Sequence, residues 1–214
     1  MAMPIWQWSA VDTAVAIRER RVSAEQVVQA HIDRMRAVNP ALNAVVVDLS
    51  TPALEAARAA DRAQAQDAPL GTLHGVPVTI KINVDVDGQA NSNGVVGFKD
   101  NIAPGDSPVF ANLKRAGAII IGLTNTPEFS MRGFTDNQLH GLTKNPWDNA
   151  ITCGGSSGGA GASIAAGIAT IAHGNDIGGS LRWPAYCNGI ATIQPTQGRI
   201  PALNPRAPAV PART

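Results

Sequence analysis

Between residues 153 and 182 the chain reads Cys153-Gly154-Gly155-Ser156-Ser157-Gly158-Gly159-Ala160-Gly161 and later Asn175-Asp176-Ile177-Gly178-Gly179-Ser180-Leu181-Arg182. The intervening residues, 162–172, are small and apolar, which suits a tightly packed helix leading into a short buried strand. Whatever fold the chain adopts must therefore place two glycine-cradled serines, Ser156 and Ser180, at the ends of one packed element.

The rest of the sequence supplies the layers around that element. Val11, Ala14, Val15, Ala16 and Ile17 cluster on helical spacing, and Ser23-Ala24-Glu25-Gln26 has capping-box form ahead of Val27, Val28, His31, Ile32 and Met35. Two amphipathic helices follow from this. His31, alone among apolar neighbours, reads as a packing residue. Residues 42–49 predict a strand, and Thr51-Pro52 opens a helix with proline at its first position, running from 53 to about 66. Leu73-His74-Gly75-Val76-Pro77-Val78-Thr79-Ile80-Lys81 predicts a loop and a β-branched strand ending at Lys81, where the charge would be partly buried. Residues 87–106, rich in Gly, Asn and Asp, read as irregular. Ser107-Pro108 starts a helix over 109–116 that Gly117 closes, ahead of a strand over 118–123. Thr126-Pro127-Glu128-Phe129 gives a helical turn, and 137–149 is a long loop carrying His140 and Trp147. Alternating helices and short apolar strands predict an α/β fold with a mixed, mostly covered central sheet flanked by helices. Residues 1–200 are expected to form one such domain, with 201–214 a Pro-rich tail without packing period.

Composition narrows the function classes. A hydrophobic content of 44% with 15% charged residues fits a soluble globular chain able to bury a sizeable core. The net charge of +1 is scattered rather than clustered, which argues against nucleic acid as a partner. The start lacks a basic segment followed by an apolar one, and no run of about 18 apolar residues occurs, so no membrane association and a cytoplasmic location are expected. Cys153 and Cys187 read as free thiols.

A glycine-rich turn opening a helix aims backbone N–H groups outward and can hold a phosphate or an oxyanion formed during reaction. No Gly-Lys-Ser/Thr follows, and the strand context of a dinucleotide fingerprint is missing, so a nucleotide site is the weaker reading. Ile177-Gly178-Gly179-Ser180 places a hydroxyl after two residues without Cβ, which lets a substrate carbonyl reach consecutive backbone donors while Ser180 attacks. A serine needs a base, and the histidines in reach of the argument are His74, His140 and His173, none with an evident orienting partner. A desolvated lysine can serve instead, since burial disfavours the ammonium. Lys81, taken alone, could equally reach solvent or pair with Asp85 or Asp87.

Five ordered blocks resemble the amidase signature enzymes: Gly75-Val76-Pro77-Val78-Thr79-Ile80-Lys81, Asn145-Pro146-Trp147-Asp148, Gly154-Gly155-Ser156-Ser157-Gly158-Gly159, Asp176-Ile177-Gly178-Gly179-Ser180-Leu181-Arg182-Trp183-Pro184 and Gln194-Pro195-Thr196-Gln197-Gly198-Arg199. The resemblance covers nearly the whole chain. It implies hydrolysis of a small carboxamide or an aryl or alkyl amide, with Ser180 as nucleophile, Ser156 as a relay on a cis peptide after Gly155, and Lys81 as terminal base. It further implies an oxyanion site at the backbone of Ile177, Gly178, Gly179 and Ser180. Ser157, Asp176 and Arg182 would support the site, the last two either as a loop-shaping pair or as an ordinary salt bridge. No cofactor and no metal are implied, the partner is a small-molecule amide, and a homodimer stays open as the assembly. Two positions depart from the family's usual pattern, Ile82 where an acidic residue is common and Asn175 where threonine is common. Members of the family are much longer, so the chain reads as an N-terminal portion of such an enzyme. A catalytically inert fragment, or the A-type subunit of a tRNA-dependent amidotransferase, are the alternatives.

Overall fold

The computed structural model describes residues 3–201. Its helices are α1 (Ala10–Arg18), α2 (Ala24–Leu42), α3 (Ser50–Ala65), α4 (Pro108–Arg115), α5 (Gly158–Ala165) and α6 (Arg182–Asn188). Its strands are β1 (Val45–Asp48), β2 (Pro77–Lys81), β3 (Ile119–Thr124) and β4 (Ile171–Ala172), in the sheet order β1-β3-β2-β4. β2 runs parallel to both β3 and β4, while β1 is antiparallel to β3, so the sheet is mixed as the pattern predicts.

Helix starts follow local chemistry. Ser9 caps α1 by accepting from the Asp12 N–H, and at α2 the capping box forms in both directions between Ser23 and Gln26. α4 starts as expected, with Ser107 as cap and Pro108 in its first turn. Gly117 then takes φ +89, and a Cβ there would lie 2.8 Å from His74 Cα.

Three boundaries differ from expectation. The strand predicted over 42–49 begins only at Val45, because Leu42 closes α2 and Asn43 adopts a left-handed conformation. Asn39 causes the turn: its Oδ1 accepts from the Ala44 and Val45 N–H groups and its Nδ2 donates to Val45 O. α3 begins at Ser50, two residues before Pro52, since Asp48 Oδ1 accepts the Ser50 N–H at 2.7 Å. The small-residue helix starts earlier than its apolar run, at Gly158, and ends at Ala165; β4 is a half-buried edge strand rather than a buried one. α6 has no counterpart among the elements that the sequence pattern predicts. The tail expected over 201–214 lies, from residue 202 on, outside the described residues.

Two apolar clusters occupy the two faces of the sheet. One gathers Ile17, Val27, Ile32, Ile121, Ala162 and Ile168; the other gathers Val76, Val78, Ile80, Phe110 and Leu123. Strand alternation sends Val78 and Ile80 to the second cluster and turns Thr79 and Lys81 to the face where α5 packs. Thr79 Oγ1 accordingly meets Ser163 Oγ of α5 at 3.2 Å. His31 is fully buried with Nδ1 3.0 Å from Ile168 O, in the packing role its neighbours suggest.

Candidate active site

Lys81 ends the central strand and is 0% exposed, so its amine cannot reach water and must find partners in the protein. It finds three: Nζ lies 2.7 Å from Ser156 Oγ, 3.0 Å from Ser157 Oγ and 2.8 Å from Asn175 Oδ1. Neither Asp85 nor Asp87 pairs with it; Asp85 instead accepts from Asn91, and Asp87 lies exposed on the surface. With no carboxylate in contact, burial pulls the amine from 10.5 down to about 7, against a smaller opposing effect of the Asp176 charge.

The serine turn is built by backbone contact too close for side chains. The Gly155–Ser156 peptide bond is cis. A Cβ on Gly155 would lie 2.5 Å from Arg132 O and 2.7 Å from Phe134 N, so only glycine fits. Thr135 Oγ1 bridges the turn, donating to Gly154 O and accepting from the Gly158 N–H. Thr126 Oγ1 donates to Ser156 O at 3.0 Å. Ser156 and Ser157 are both buried by this scaffold.

Ser180 stands in the loop between β4 and α6. Its carbonyl accepts the Ser157 N–H at 3.2 Å, which ties the two serine turns together. No hydrogen bond joins the Ser156 and Ser180 hydroxyls among the described residues, an arrangement common where such bonds tighten only with substrate present. Asp176 organises the loop. Its carboxylate accepts from the N–H groups of Gly179 (2.7 Å), Leu181 (2.9 Å) and Arg182 (3.2 Å) and takes the Arg182 guanidinium on both oxygens. The guanidinium first, and then these amides, hold the Asp176 carboxyl well below the usual carboxylate range. The pair is thus more than a surface salt bridge: the Asp176 side chain is fully buried.

The same geometry engages one of the amides expected at the oxyanion site. The Gly179 N–H is spent on Asp176, whereas those of Ile177, Gly178 and Ser180 make no hydrogen bond among the described residues. Gly179 still has a reason to be glycine, with φ +118, and nothing lies within 4 Å of a Cβ built on it or on Gly178. A cleft of about 1370 Å³ opens there, its wall including Ser156, His173, Ile177, Ser180 and Trp183.

No histidine hydrogen-bonds either serine among the described residues. His140 Nε2 meets Ser92 Oγ, and His173 is pushed down to about 4 by burial and then by the Lys81 charge. Both cysteines are free; burial pushes the Cys153 thiol up to about 12 and raises that of Cys187 as well. Among the described residues no group of His, Cys, Asp and Glu could hold a metal, and no helix is long and apolar enough to cross a membrane.

Sequence reasoning missed the polar wall behind Lys81. Asn175 exchanges amide hydrogen bonds with Asn83, which donates to Ser130; Ser130 Oγ in turn donates to Asn93 Oδ1. The sequence carried little signal for it, because Asn83 lies in the turn after β2, where strand alternation no longer sets the direction of a side chain.

Comparison with known proteins supplies the family. The Amidase family model matches residues 26–208. An indoleacetamide hydrolase of Bradyrhizobium diazoefficiens is 72% identical over 206 residues, covering 96% of this chain and 39% of that protein. An acylamidase of Rhodococcus erythropolis is 42% identical, over 90% of this chain and 40% of its own length. Among solved structures, a bacterial aryl acylamidase of the amidase signature family superposes with a TM-score of 0.82 at 36% identity, covering 86% of this chain and 38% of that one. The chain thus spans about two fifths of the length of the relatives it matches. Over that span the mixed sheet, the cis Gly155–Ser156 turn and the buried lysine accompany a family match that takes in most of the sequence, and the chain belongs to the amidase family.

Proposed function

We propose that this stretch carries the reaction centre of an enzyme that hydrolyses a carboxamide to a carboxylic acid and ammonia or an amine. Ser180 Oγ attacks the carbonyl carbon while its proton passes through Ser156 to neutral Lys81. The oxyanion rests against the amides of Ile177, Gly178 and Ser180. The tetrahedral intermediate collapses as the C–N bond breaks, and the proton held by Lys81 returns through Ser156 to the leaving nitrogen. Water, deprotonated by the same relay, then splits the Ser180 ester and frees the acid. The observation that carries this reading is the fully buried Lys81 amine, 2.7 Å from Ser156 Oγ and without a carboxylate partner. Such an amine is a base near neutrality, which a solvated or ion-paired lysine is not.

For the substrate, the 72% identity to an indoleacetamide hydrolase favours a primary amide of an arylacetic acid. The cleft wall agrees, with Phe129, Met131, Leu181, Trp183 and Ile193 offering apolar and aromatic surface. Incubation with indole-3-acetamide should release ammonia, and Ser180→Ala should lower turnover on the order of 10³-fold or more. Unchanged turnover in Ser180→Ala would sink the mechanism.

A further inference from the structure

The hydrogen bonds around Lys81 are not equivalent. A neutral amine has two N–H donors and one lone pair, yet Nζ has three oxygen neighbours, so one of them must supply a proton rather than receive one.

Asn175 cannot be that one. Its Nδ2 donates to Asn83 Oδ1 at 2.9 Å, which turns Oδ1, an acceptor only, towards Lys81. Asn83 is held in turn, because its Nδ2 faces both Asn175 Oδ1 and the Ser130 hydroxyl, whose own proton goes to Asn93. Ser157 is also committed. Its hydroxyl donates to Asn175 O at 3.3 Å, so it meets Lys81 as an acceptor. By elimination the lone pair faces Ser156, at the shortest of the three distances.

We propose that Asn175, locked in one amide orientation by Asn83, is a positioning residue: together with Ser157 it occupies both N–H donors of the neutral Lys81 amine and leaves the lone pair aimed at Ser156. The inference rests on the hydrolytic reading above for its catalytic meaning, though not for its geometry. It has a chemical consequence. When Lys81 takes a proton, the bonds to Asn175 and Ser157 keep their direction and only the Ser156 bond reverses. Proton movement is thereby confined to the relay, with no rearrangement of the surrounding amides. The other ionisable groups whose charge acts on or responds to Lys81 are Asp176, engaged by Arg182, and His173, neutral at ordinary pH.

The test reads the amine directly. The full chain is labelled with lysine carrying ¹³C at Cε, the Lys81 signal is assigned by its loss in Lys81→Met, and its titration is followed by NMR. Wild type should titrate near 7. Asn175→Asp, which puts an anion against the amine, should raise the midpoint by ~1 to 3 pH units. Asn175→Leu, which removes the acceptor, should lower it, and Asn175→Thr, whose hydroxyl can accept, should return it towards wild type. On an amide that the wild type turns over, Asn175→Leu should lose kcat by about tenfold or more with KM little changed. A Lys81 midpoint that stays put in both Asn175→Asp and Asn175→Leu overturns the proposal, as does full kcat in Asn175→Leu. Should either variant fail to fold, Asn83→Leu, which frees the Asn175 amide to turn, supplies the same pair of readings. Because the titration needs no turnover, an active Ser180→Ala would refute the hydrolytic reading while leaving the fate of Asn175 to the NMR result.

Discussion

Replacing Lys81 by methionine separates the charge of this residue from its packing. The chain fills similar space, but the amine and its proton equilibrium are gone. In the folded wild type, burial lowers the amine from 10.5 to about 7. At about 1.4 kcal/mol for each tenfold in the proton equilibrium, that is a charging penalty of about 5 kcal/mol. The folded pKa is the depressed one, so between about 7 and 10.5 the unfolded chain binds more protons than the folded one. The penalty is therefore present in full below pH 7, shrinks as pH rises through that window, and vanishes above it. Urea unfolding of both proteins at pH 7 and 9.5 should show wild type gaining about 3 kcal/mol on Lys81→Met over that interval. The remaining titrating groups are shared and cancel in the difference. The lost hydrogen bonds to Ser156, Ser157 and Asn175 add an offset with no such slope. A stability difference independent of pH would refute the claim that Lys81 is held as a free, desolvated amine.

Two further changes probe the scaffold. Gly155→Ala forces a methyl group against Arg132 O and Phe134 N, backbone atoms that cannot swing aside, and should cost at least about 2 kcal/mol in urea unfolding; a variant as stable as wild type would show that the turn can open. Alkylation by iodoacetamide at pH 8 should mark the half-buried Cys187 well before Cys153, whose thiol is fully buried and raised to about 12, and peptide mapping that finds Cys153 modified first would contradict the burial.

The parts of the fold that rest on short-range chemistry were legible in the sequence. The Ser23–Gln26 box, the Ser107-Pro108 start and the β-branched run before Lys81 each name their own element. What escaped was decided at long range. Asn39 takes over the backbone of Ala44 and Val45 and so shortens β1 from its sequence limits. α6 carries little helical pattern, and its anchor is Asn188, whose amide donates to Cys153 O across the site. Lys81 shows the same division. Its place at a strand end could be read, but its complete burial depends on β3 and β4 flanking β2 and on the serine turn covering its tip. The family resemblance pointed to Ser156 and Ser180, yet not to Asn83 or Ser130, whose importance exists only once the chain has brought them together.

The shortness of β4 separates the durability of the site from that of the fold. Two paired residues, the His173 N–H to Thr79 O and the Thr170 N–H and hydroxyl to Pro77 O clip the strand to β2, whereas β2 and β3 pair from Pro77 to Lys81. Ser180 follows this shorter joint, held besides by the Ser157 N–H on its carbonyl. A modest local fluctuation there would carry Ser180, the proposed nucleophile, away from Ser156 while both apolar clusters stay closed. On the proposed mechanism, heating would lower turnover at a temperature where the sheet is still folded, and cooling would restore it without any refolding of the core.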